Sequence, residues 1–300
     1  MTTRQALLVD AFTSEPTTGN PAGVVPDAAG LADSQMQAIA SELGASETVF
    51  ILPADDADRR LRYFTPEQEV PLCGHATVAA HAHLYERSIV EAGEHSYAAE
   101  AGVFDVEIED DGTVWMEQAD AEFRAADVSY ETVADALGLD VASLRDVGAD
   151  FPLTRATTGL PYLFVPVNYF EHLSGMTPDM AAIADISEDE DVAGIYAFTF
   201  DTIDGDSTAH ARAFAPAAGV PEDPVTGTAG GAAGALFRHH GAIDEEIHPV
   251  VIEQGHFIDR PGTVRVATDG TEVMIGGRAA TTLDGNCVVP APEDDDILEA

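Results

Sequence analysis

The segment RAFAPAAGVPEDPVTGTAGGAAGAL (212–236) combines three local patterns in one short span. Alternation of apolar residues, typical of a strand, ends at Pro216, and the proline- and acid-rich stretch 221–224 predicts a turn. The stretch 229–236 contains only Ala, Gly and Leu, so a helix formed there has no polar face. Helices that are apolar on every side are buried. The segment therefore predicts a strand, a polar turn and a central helix surrounded by sheet.

Glycine is frequent in this predicted helix, at positions 230, 231 and 234. An interior glycine destabilises a helix by about 0.5–1 kcal/mol relative to alanine, so its presence favours close approach of the surrounding backbone. The helix N-terminus opens beside Asp223 and Thr228, where unpaired N–H groups and the positive end of the dipole favour an anion. We expect the active site here; an ordinary Ala/Gly-rich core helix with a polar cap is the alternative.

The same order of strand, proline, acidic turn and small-residue helix occurs half a chain earlier, over 62–80. Arg62 precedes Arg212 by 150 residues, and Gly74 precedes Gly227 by 153, in a chain of 300. Self-similarity of this kind indicates an internal duplication. One unit in each half predicts two similar domains, whose helix N-termini face each other across a cleft.

Six motifs are spread over nearly the whole chain: GNPAGVV (19–25), SETVFIL (46–52), RYFTPEQEVPLCGHAT (62–77), TTGLPYLFVPV (157–167), RAFAPAAGVPEDPVTGTAGGA (212–232) and EQGHFIDRPGTVRV (253–266). Together they resemble the phenazine-biosynthesis (PhzF-like) family. The resemblance implies the α+β diaminopimelate-epimerase-like fold, with two β-barrels each closed around one helix and the active site between them. The expected domains are 1–120, joined by 284–300, and 121–283.

Charge sets this sequence apart from an ordinary globular protein. Its formal net charge is −41, its isoelectric point is about 4.1, and all 13 basic residues are arginine. Self-repulsion of this size destabilises a compact chain, and high salt screens it. We therefore expect a cytosol of high ionic strength, as in a salt-adapted organism. The same charge argues against nucleic acid or an anionic membrane as a partner.

Several classes of chemistry are excluded by composition and spacing. Without lysine there is neither a pyridoxal-phosphate Schiff base nor a Walker phosphate loop, and no GxGxxG follows a strand. The pairs His81/His83 and His239/His240 do not have metal-ligand spacing, so we expect no cofactor and no metal. The two cysteines indicate no disulfide framework. With no signal-peptide core and no long apolar run, a soluble cytoplasmic protein is expected.

A glutamate opens one predicted strand. Glu47 shares a face with Val49 and Ile51, so it lies at the mouth of an apolar surface, where a carboxylate pKa tends to rise. An edge or cap glutamate is the alternative from the pattern alone. By the resemblance, Glu47 stands where family members carry their proton-transferring glutamate. A preceding helix over 33–43 is predicted, with Asp33 as its N-cap.

The remaining predicted elements come from periodicity and turn signals. The helices are 130–138 and 176–193, and the strands are 5–12, 102–109, 113–117, 154–167, 194–200, 248–254, 262–267, 272–278 and 283–289. Residues 13–22 are expected to form a loop.

Further site roles follow from the resemblance. His75 and Asp223 match positions that polarise or orient the substrate. Thr228 matches a family hydroxyl and, with the N–H groups around Gly227, would bind a carboxylate, and Asn20 is a weaker candidate. The plain alternatives are helix caps for Asp223 and Thr228, a cap donor for His75 and a turn residue for Asn20.

A thiol precedes the first central helix. In racemases of this fold two thiols face each other, each just before the glycine that opens a helix. Cys73 and Gly74 match the first such place, but the counterpart of Cys73 in the repeat is Thr226. One base is therefore missing, which favours a one-base isomerase over two-sided inversion. A small buried cysteine is the alternative reading of Cys73.

These observations predict a cofactor-independent isomerase that acts on a small anionic metabolite, an amino- or hydroxy-carboxylate. A homodimer is expected because family members often form one. Two alternatives stay open: an epimerase or racemase that uses Cys73 with Glu47, and a non-catalytic metabolite-binding protein.

Overall fold

The computed structural model describes residues 2–145, 147, 151–244 and 246–291. The fold is a sheet-rich mixture of strands and helices. Within the described residues, the strands are β1 (Thr3–Ala11), β2 (Asn20–Val25), β3 (Glu47–Leu52), β4 (Arg59–Phe64), β5 (Glu69–Val70), β6 (Gly93–Ala99), β7 (Gly102–Ile108), β8 (Val114–Glu117), β9 (Glu122–Ala125), β10 (Thr154–Thr157), β11 (Tyr162–Pro166), β12 (Ile195–Thr199), β13 (Ala209–Ala215), β14 (Val220–Asp223), β15 (Val250–Gln254), β16 (Gly262–Asp269), β17 (Glu272–Gly277) and β18 (Ala279–Val288).

The α-helices in the same ranges are α1 (Asp33–Leu43), α2 (Gly74–Glu86), α3 (Tyr130–Leu137), α4 (Ala142–Arg145), α5 (Phe170–Ser174), α6 (Met180–Glu190) and α7 (Gly227–His239). None of the described helices has the length and hydropathy that a membrane crossing requires. Residue contacts divide the chain into two compact units, the N-terminal unit (the described part of Met1–Met116 and Arg278–Ala300) and the C-terminal unit (the described part of Glu117–Gly277).

Strand pairing in the N-terminal unit alternates antiparallel and parallel neighbours. β1 pairs antiparallel with β18 and β2, and β2 runs parallel to β3. β3 and β4 are antiparallel, and β4 then pairs with β5 on the antiparallel side and with β6 on the parallel side. β6, β7 and β8 complete an antiparallel series.

The C-terminal unit repeats this pairing pattern strand for strand. β10 pairs antiparallel with β9 and β11, β11 runs parallel to β12, and β12 is antiparallel to β13. β13 pairs antiparallel with β14 and parallel with β15, and β15, β16 and β17 form the antiparallel series. The sequence similarity between 62–80 and 212–236 therefore corresponds to the same section of one repeated topology.

Each unit contains one buried 13-residue helix that follows a short strand, β5 before α2 and β14 before α7. The interior of α2 is buried over 76–84, and the interior of α7 over 229–237. Helix α2 contacts β1, β2, β3, β7 and β18, and helix α7 contacts β10, β16 and β17. A Cβ atom added at Gly234 would lie 2.7 Å from Cγ1 of Val266, so glycine allows β16 to approach α7 closely.

Three local predictions are corrected by the structure. Asp33 is the first residue of α1 and not its cap, because the cap position is Ala32 and the Asp33 carboxylate pairs with Arg62 at 2.7 Å. The stretch 221–224 was predicted as a turn, yet most of it belongs to β14, which pairs with β13. Asn20 was placed in a loop, but it begins β2 and is paired opposite Ala11.

Candidate active site

Two predicted site residues begin neighbouring parallel strands in the N-terminal unit. Glu47 is the first residue of β3, and Asn20 is the first residue of β2. The register places Ala22 of β2 opposite Glu47. Asn20 is only 4% exposed, whereas the Glu47 side chain is 24% exposed. Glu47 is therefore partly exposed at the end of a strand whose interior is buried.

The N-terminus of α2 brings two further predicted residues to Glu47. Cys73 is the cap residue of α2, and His75 is its second residue. The Nε2 atom of His75 lies 3.4 Å from Oε2 of Glu47, and its Nδ1 atom lies 3.4 Å from Sγ of Cys73. A carboxylate, an imidazole and a thiol thus meet within one half-buried group, which can exchange protons through direct contacts.

Ser46 also belongs to this group, although no sequence-based role was given to it. Its Oγ atom lies 3.3 Å from Nε2 of His75, so the imidazole contacts both a hydroxyl and the carboxylate of Glu47. The residue lies in the motif SETVFIL, directly before Glu47. Its position beside Glu47 was the sequence signal that could have identified Ser46. An exposed serine before a strand is common, however, and does not by itself indicate a catalytic role.

Asp223 is organised by a hydrogen-bonded turn in the C-terminal unit. The hydroxyl of Thr226 donates to Oδ2 of Asp223 at 2.5 Å. The side-chain amide of Gln254 donates to the Asp223 carbonyl at 2.7 Å and to Oγ1 of Thr226 at 3.1 Å. Its oxygen accepts from the Thr226 amide at 3.2 Å. Gln254 lies in one of the quoted motifs but was given no role there. It holds the connection between Asp223, the last residue of β14, and the start of α7.

The carboxylate of Asp223 also influences two buried phenols. Burial raises the pKa of Tyr162 and Tyr196, and the negative charge of Asp223 raises both further. Tyr196 is 1% exposed and Tyr162 4% exposed, so neither phenol ionises near neutral pH. The two phenols that interact with Asp223, those of Tyr162 and Tyr196, are therefore neutral.

The start of α7 contains the last two predicted binding residues. Gly227 and Thr228 are its first two residues, and the first N–H groups of a helix have no acceptor within the helix. The hydroxyl of Thr158 donates to the Thr228 carbonyl at 3.0 Å. This bond links the helix start to the segment that leads into β11.

The repeated topology shows which residues of the two units correspond. The sequence TTGNPAGVVP (17–26), which contains β2, matches TTGLPYLFVP (157–166), which contains β11. Phe64 faces Thr48, and its repeat counterpart Phe214 faces Ile195, so Glu47 corresponds to Gly194.

A side chain at Gly194 is excluded by packing, since its Cβ would lie 2.0 Å from the Phe214 carbonyl oxygen. The helix starts align Cys73 with Thr226 and His75 with Thr228. Glu47, Cys73 and His75, the ionisable residues of the N-terminal cluster, therefore correspond to residues without an ionisable side chain.

Within each unit the structure brings the predicted residues together. Glu47, Cys73 and His75 form one cluster, with Gly74 between the last two and Asn20 on the adjacent strand. Asp223, Gly227 and Thr228 lie around one helix start in the other unit.

Comparison with known proteins places the chain in a family. The family profile "Phenazine biosynthesis-like protein" (PhzC-PhzF) matches residues 9–285. The uncharacterized isomerase YfhB of Bacillus subtilis is 38% identical over 289 residues, which cover 95% of this chain and 96% of that protein. The trans-2,3-dihydro-3-hydroxyanthranilate isomerase of Pseudomonas fluorescens is 31% identical over 297 residues, covering 94% and 99%.

A solved structure agrees with these matches. The crystal structure of the Bacillus anthracis phenazine biosynthesis protein of the PhzF family superimposes with a TM-score of 0.86 at 33% identity, covering 96% of this chain and 100% of that one. The family and the sheet-rich fold inferred from the sequence motifs are thereby confirmed. The chain is an isomerase, and it belongs to the phenazine biosynthesis-like (PhzC-PhzF) family.

Proposed function

We propose that this isomerase moves a proton with a single base, Glu47, on a small amino- or hydroxy-carboxylate and without a cofactor. The observation that carries the proposal is a cluster of ionisable residues in the N-terminal unit whose counterparts in the C-terminal unit are not ionisable. Glu47, His75 and Cys73 lie together in the N-terminal unit, and their repeat counterparts are Gly194, Thr228 and Thr226. A single carboxylate can remove a proton and return it on the same face of the substrate, whereas inversion needs a second base on the opposite face.

The neighbours of Glu47 support this role. His75 lies within 3.4 Å of its carboxylate and can hand a proton to it or polarise a substrate oxygen. The carboxylate substrate is supported by the helix starts, where N–H groups and the dipole favour an anion. The relative from Pseudomonas fluorescens is named for a compound that carries both an amino group and a carboxylate. The roles of Asp223, Thr228 and Asn20 in holding such a compound belong to the proposal.

The finer architecture is also proposed. The repeated pairing pattern supports two β-barrels, each closed around its central helix, α2 or α7. A homodimer and a cytoplasm of high ionic strength remain parts of the proposal. Size-exclusion chromatography with light scattering at high salt tests the dimer, because a monomeric mass at micromolar concentration would contradict it.

One observation favours a second candidate, an epimerase that uses Cys73. Its thiol lies 3.4 Å from Nδ1 of His75, and an imidazole at that distance can take up the thiol proton. This candidate needs two bases, so Cys73 would act together with Glu47.

Solvent hydrogen exchange separates the two candidates. The wild-type protein and Cys73→Ser are incubated in D₂O at high salt with amino acids, hydroxy acids and unsaturated carboxylates, including trans-2,3-dihydro-3-hydroxyanthranilate, and C–H exchange is followed by NMR. The one-base proposal expects exchange that survives in Cys73→Ser. Loss of exchange in that variant, with its fold intact, would favour the epimerase. No exchange in the wild type with any compound would count against both.

A further inference from the structure

Three side chains with different metal-ligand atoms converge at the start of α2. One ligand atom each from Glu47, Cys73 and His75 lies within 4.8 Å of the other two. Sγ of Cys73 lies 4.0 Å from Nε2 of His75, and the same nitrogen lies 3.4 Å from Oε2 of Glu47. Over the part of the chain that the structure describes, this is the group in which three such atoms meet.

Two of the three separations are close to the edges of a tetrahedral zinc site, and the third, between Cys73 and Glu47, is within 4.8 Å. Zinc bonds of about 2.3 Å to sulfur and about 2.0–2.1 Å to nitrogen or oxygen imply about 3.6 Å between thiolate and imidazole, and about 3.3 Å between imidazole and carboxylate. The observed distances of 4.0 and 3.4 Å differ from these edges by a few tenths of an ångström. Sγ of Cys73 lies nearer to Nδ1 of His75, at 3.4 Å, than to Nε2, so the imidazole ring must turn for one nitrogen to face both partners. Three protein ligands then leave the fourth position for water.

The ligand set selects the kind of ion. Thiolate and imidazole favour Zn²⁺ and similar transition metals, whereas Mg²⁺ and Ca²⁺ require oxygen ligands. An abundant monovalent or alkaline-earth cation therefore does not compete effectively for this group.

The surroundings allow such an ion to enter. The side chains of His75 and Glu47 are 13% and 24% exposed, and the chain as a whole is strongly anionic with a net charge of −41. The N-terminus of α2 opposes a bare cation, but it stabilises the thiolate that the ion needs. Metal binding displaces the thiol proton, so the ligand set arrives with two negative charges against two positive ones.

We propose that Glu47, Cys73 and His75 bind a zinc ion, and that this ion inhibits the isomerase. The binding of zinc does not depend on the proposed isomerase reaction. The inhibition rests on the proposed function, because a carboxylate that coordinates zinc no longer offers the same oxygen lone pair to a substrate proton. The cluster then has two uses that exclude each other, proton transfer and metal binding.

Co²⁺ serves as the probe on the metal-free, full-length protein at high salt. A tetrahedral cobalt–thiolate site gives a near-ultraviolet charge-transfer band and intense visible bands. The expected result is one Co²⁺ per chain with these bands, displaced by Zn²⁺, and loss of the charge-transfer band in Cys73→Ser. Cys287→Ser is the matched control, because the thiol of Cys287 donates to the Arg4 carbonyl outside the cluster.

The contrary results are equally specific. A wild-type protein without the charge-transfer band, or a band that persists in folded Cys73→Ser, would overturn the site. Glu47→Gln keeps the thiolate and is expected to keep the band with a higher cobalt dissociation constant. An unchanged dissociation constant in that variant would remove Glu47 from the ligand set.

The proposed inhibition by zinc is tested with the C–H exchange assay in D₂O. Zn²⁺ is expected to abolish exchange in the wild type, and a chelator to restore it. Cobalt binding in a protein that exchanges no compound would support the site and count against the proposed function. Exchange that continues while the cobalt or zinc site is filled would overturn the inhibition.

Discussion

The guanidinium of Arg212 donates two hydrogen bonds to the carboxylate of Glu222, at 2.9 Å from Nε and 2.8 Å from Nη2. Arg62 and Glu69 form the same bidentate pair, with both bonds at 2.7 Å. Each pair joins two adjacent strands just before a central helix starts, β4 to β5 and β13 to β14. The repeat therefore preserves a specific ion pair that holds the turn leading into each site.

The two pairs should differ in their contribution to stability. The side chains of Arg212 and Glu222 are 8% and 11% exposed, so Glu222→Gln leaves a nearly buried guanidinium without its counter-ion and should cost about 3–5 kcal/mol. Glu69 is 31% exposed and Arg62 keeps Asp33 as a partner, so Glu69→Gln should cost about 1–2 kcal/mol. Urea unfolding at constant high salt measures both, and equal costs would contradict the burial argument.

The close approach of α7 to its sheet gives a packing prediction. Alanine is a better helix former than glycine by about 1 kcal/mol, yet Gly234→Ala should destabilise the protein by about 1–2 kcal/mol, because the new methyl group meets Val266 at 2.7 Å. In a Val266→Ala background the same substitution should cost less or become favourable. Thermal unfolding of the four proteins checks this. A stabilising Gly234→Ala in the wild-type background would contradict it.

Much of this architecture was accessible from the sequence. The buried central helix followed from a segment without any polar residue, and α7 begins at Gly227 as expected. The stretch 221–224 was missed as a strand because it contains two prolines, which propensity assigns to turns. Pairing with β13 overrides that local preference, since a short edge strand tolerates proline.

A buried histidine supplies a pH dependence. His81 is fully buried within α2, and burial lowers its pKa to about 4. Between the unfolded pKa of about 6.5 and this value, the unfolded chain binds a proton that the folded chain does not, so stability falls as pH falls, by up to about 1.4 kcal/mol per pH unit.

His81→Asn tests this assignment, because its amide can still donate to the Thr77 carbonyl that His81 contacts at 3.0 Å. Urea unfolding between about pH 7 and about pH 5 should show a shallower loss of stability in the variant than in the wild type. Carboxylates titrate in both proteins, so the difference between the two slopes isolates His81. Identical slopes would exclude a neutral buried His81.

The net charge of −41 predicts a strong dependence on salt. At about 0.1 M salt the screening length is about 10 Å, and at 1 M it is about 3 Å, so repulsion among surface carboxylates weakens steeply over this range. The thermal unfolding midpoint should rise continuously with KCl, and choline chloride at equal ionic strength should act similarly. A midpoint independent of salt would refute electrostatic self-repulsion as the main destabilising effect.

The candidate site was predictable residue by residue but not as a cluster. The resemblance selected Glu47, Cys73 and His75, whereas their distances depend on how β3 and α2 pack, 26–28 residues apart in sequence. For the same reason the prediction that no metal binds rested only on histidines close in sequence, such as His81 and His83. Gln254 was missed because its contacts to the turn at Asp223 come from a distant strand.

The central claim is that Glu47 transfers the substrate proton, and the most direct test is deuterium incorporation from D₂O by wild type and Glu47→Gln. The substrate is the first compound of the panel that the wild type exchanges, and Glu42→Gln, on the exposed side of α1, is the matched control. The account predicts full exchange in the control and a loss of at least about 10²-fold in Glu47→Gln. Exchange at the wild-type rate in folded Glu47→Gln would contradict it.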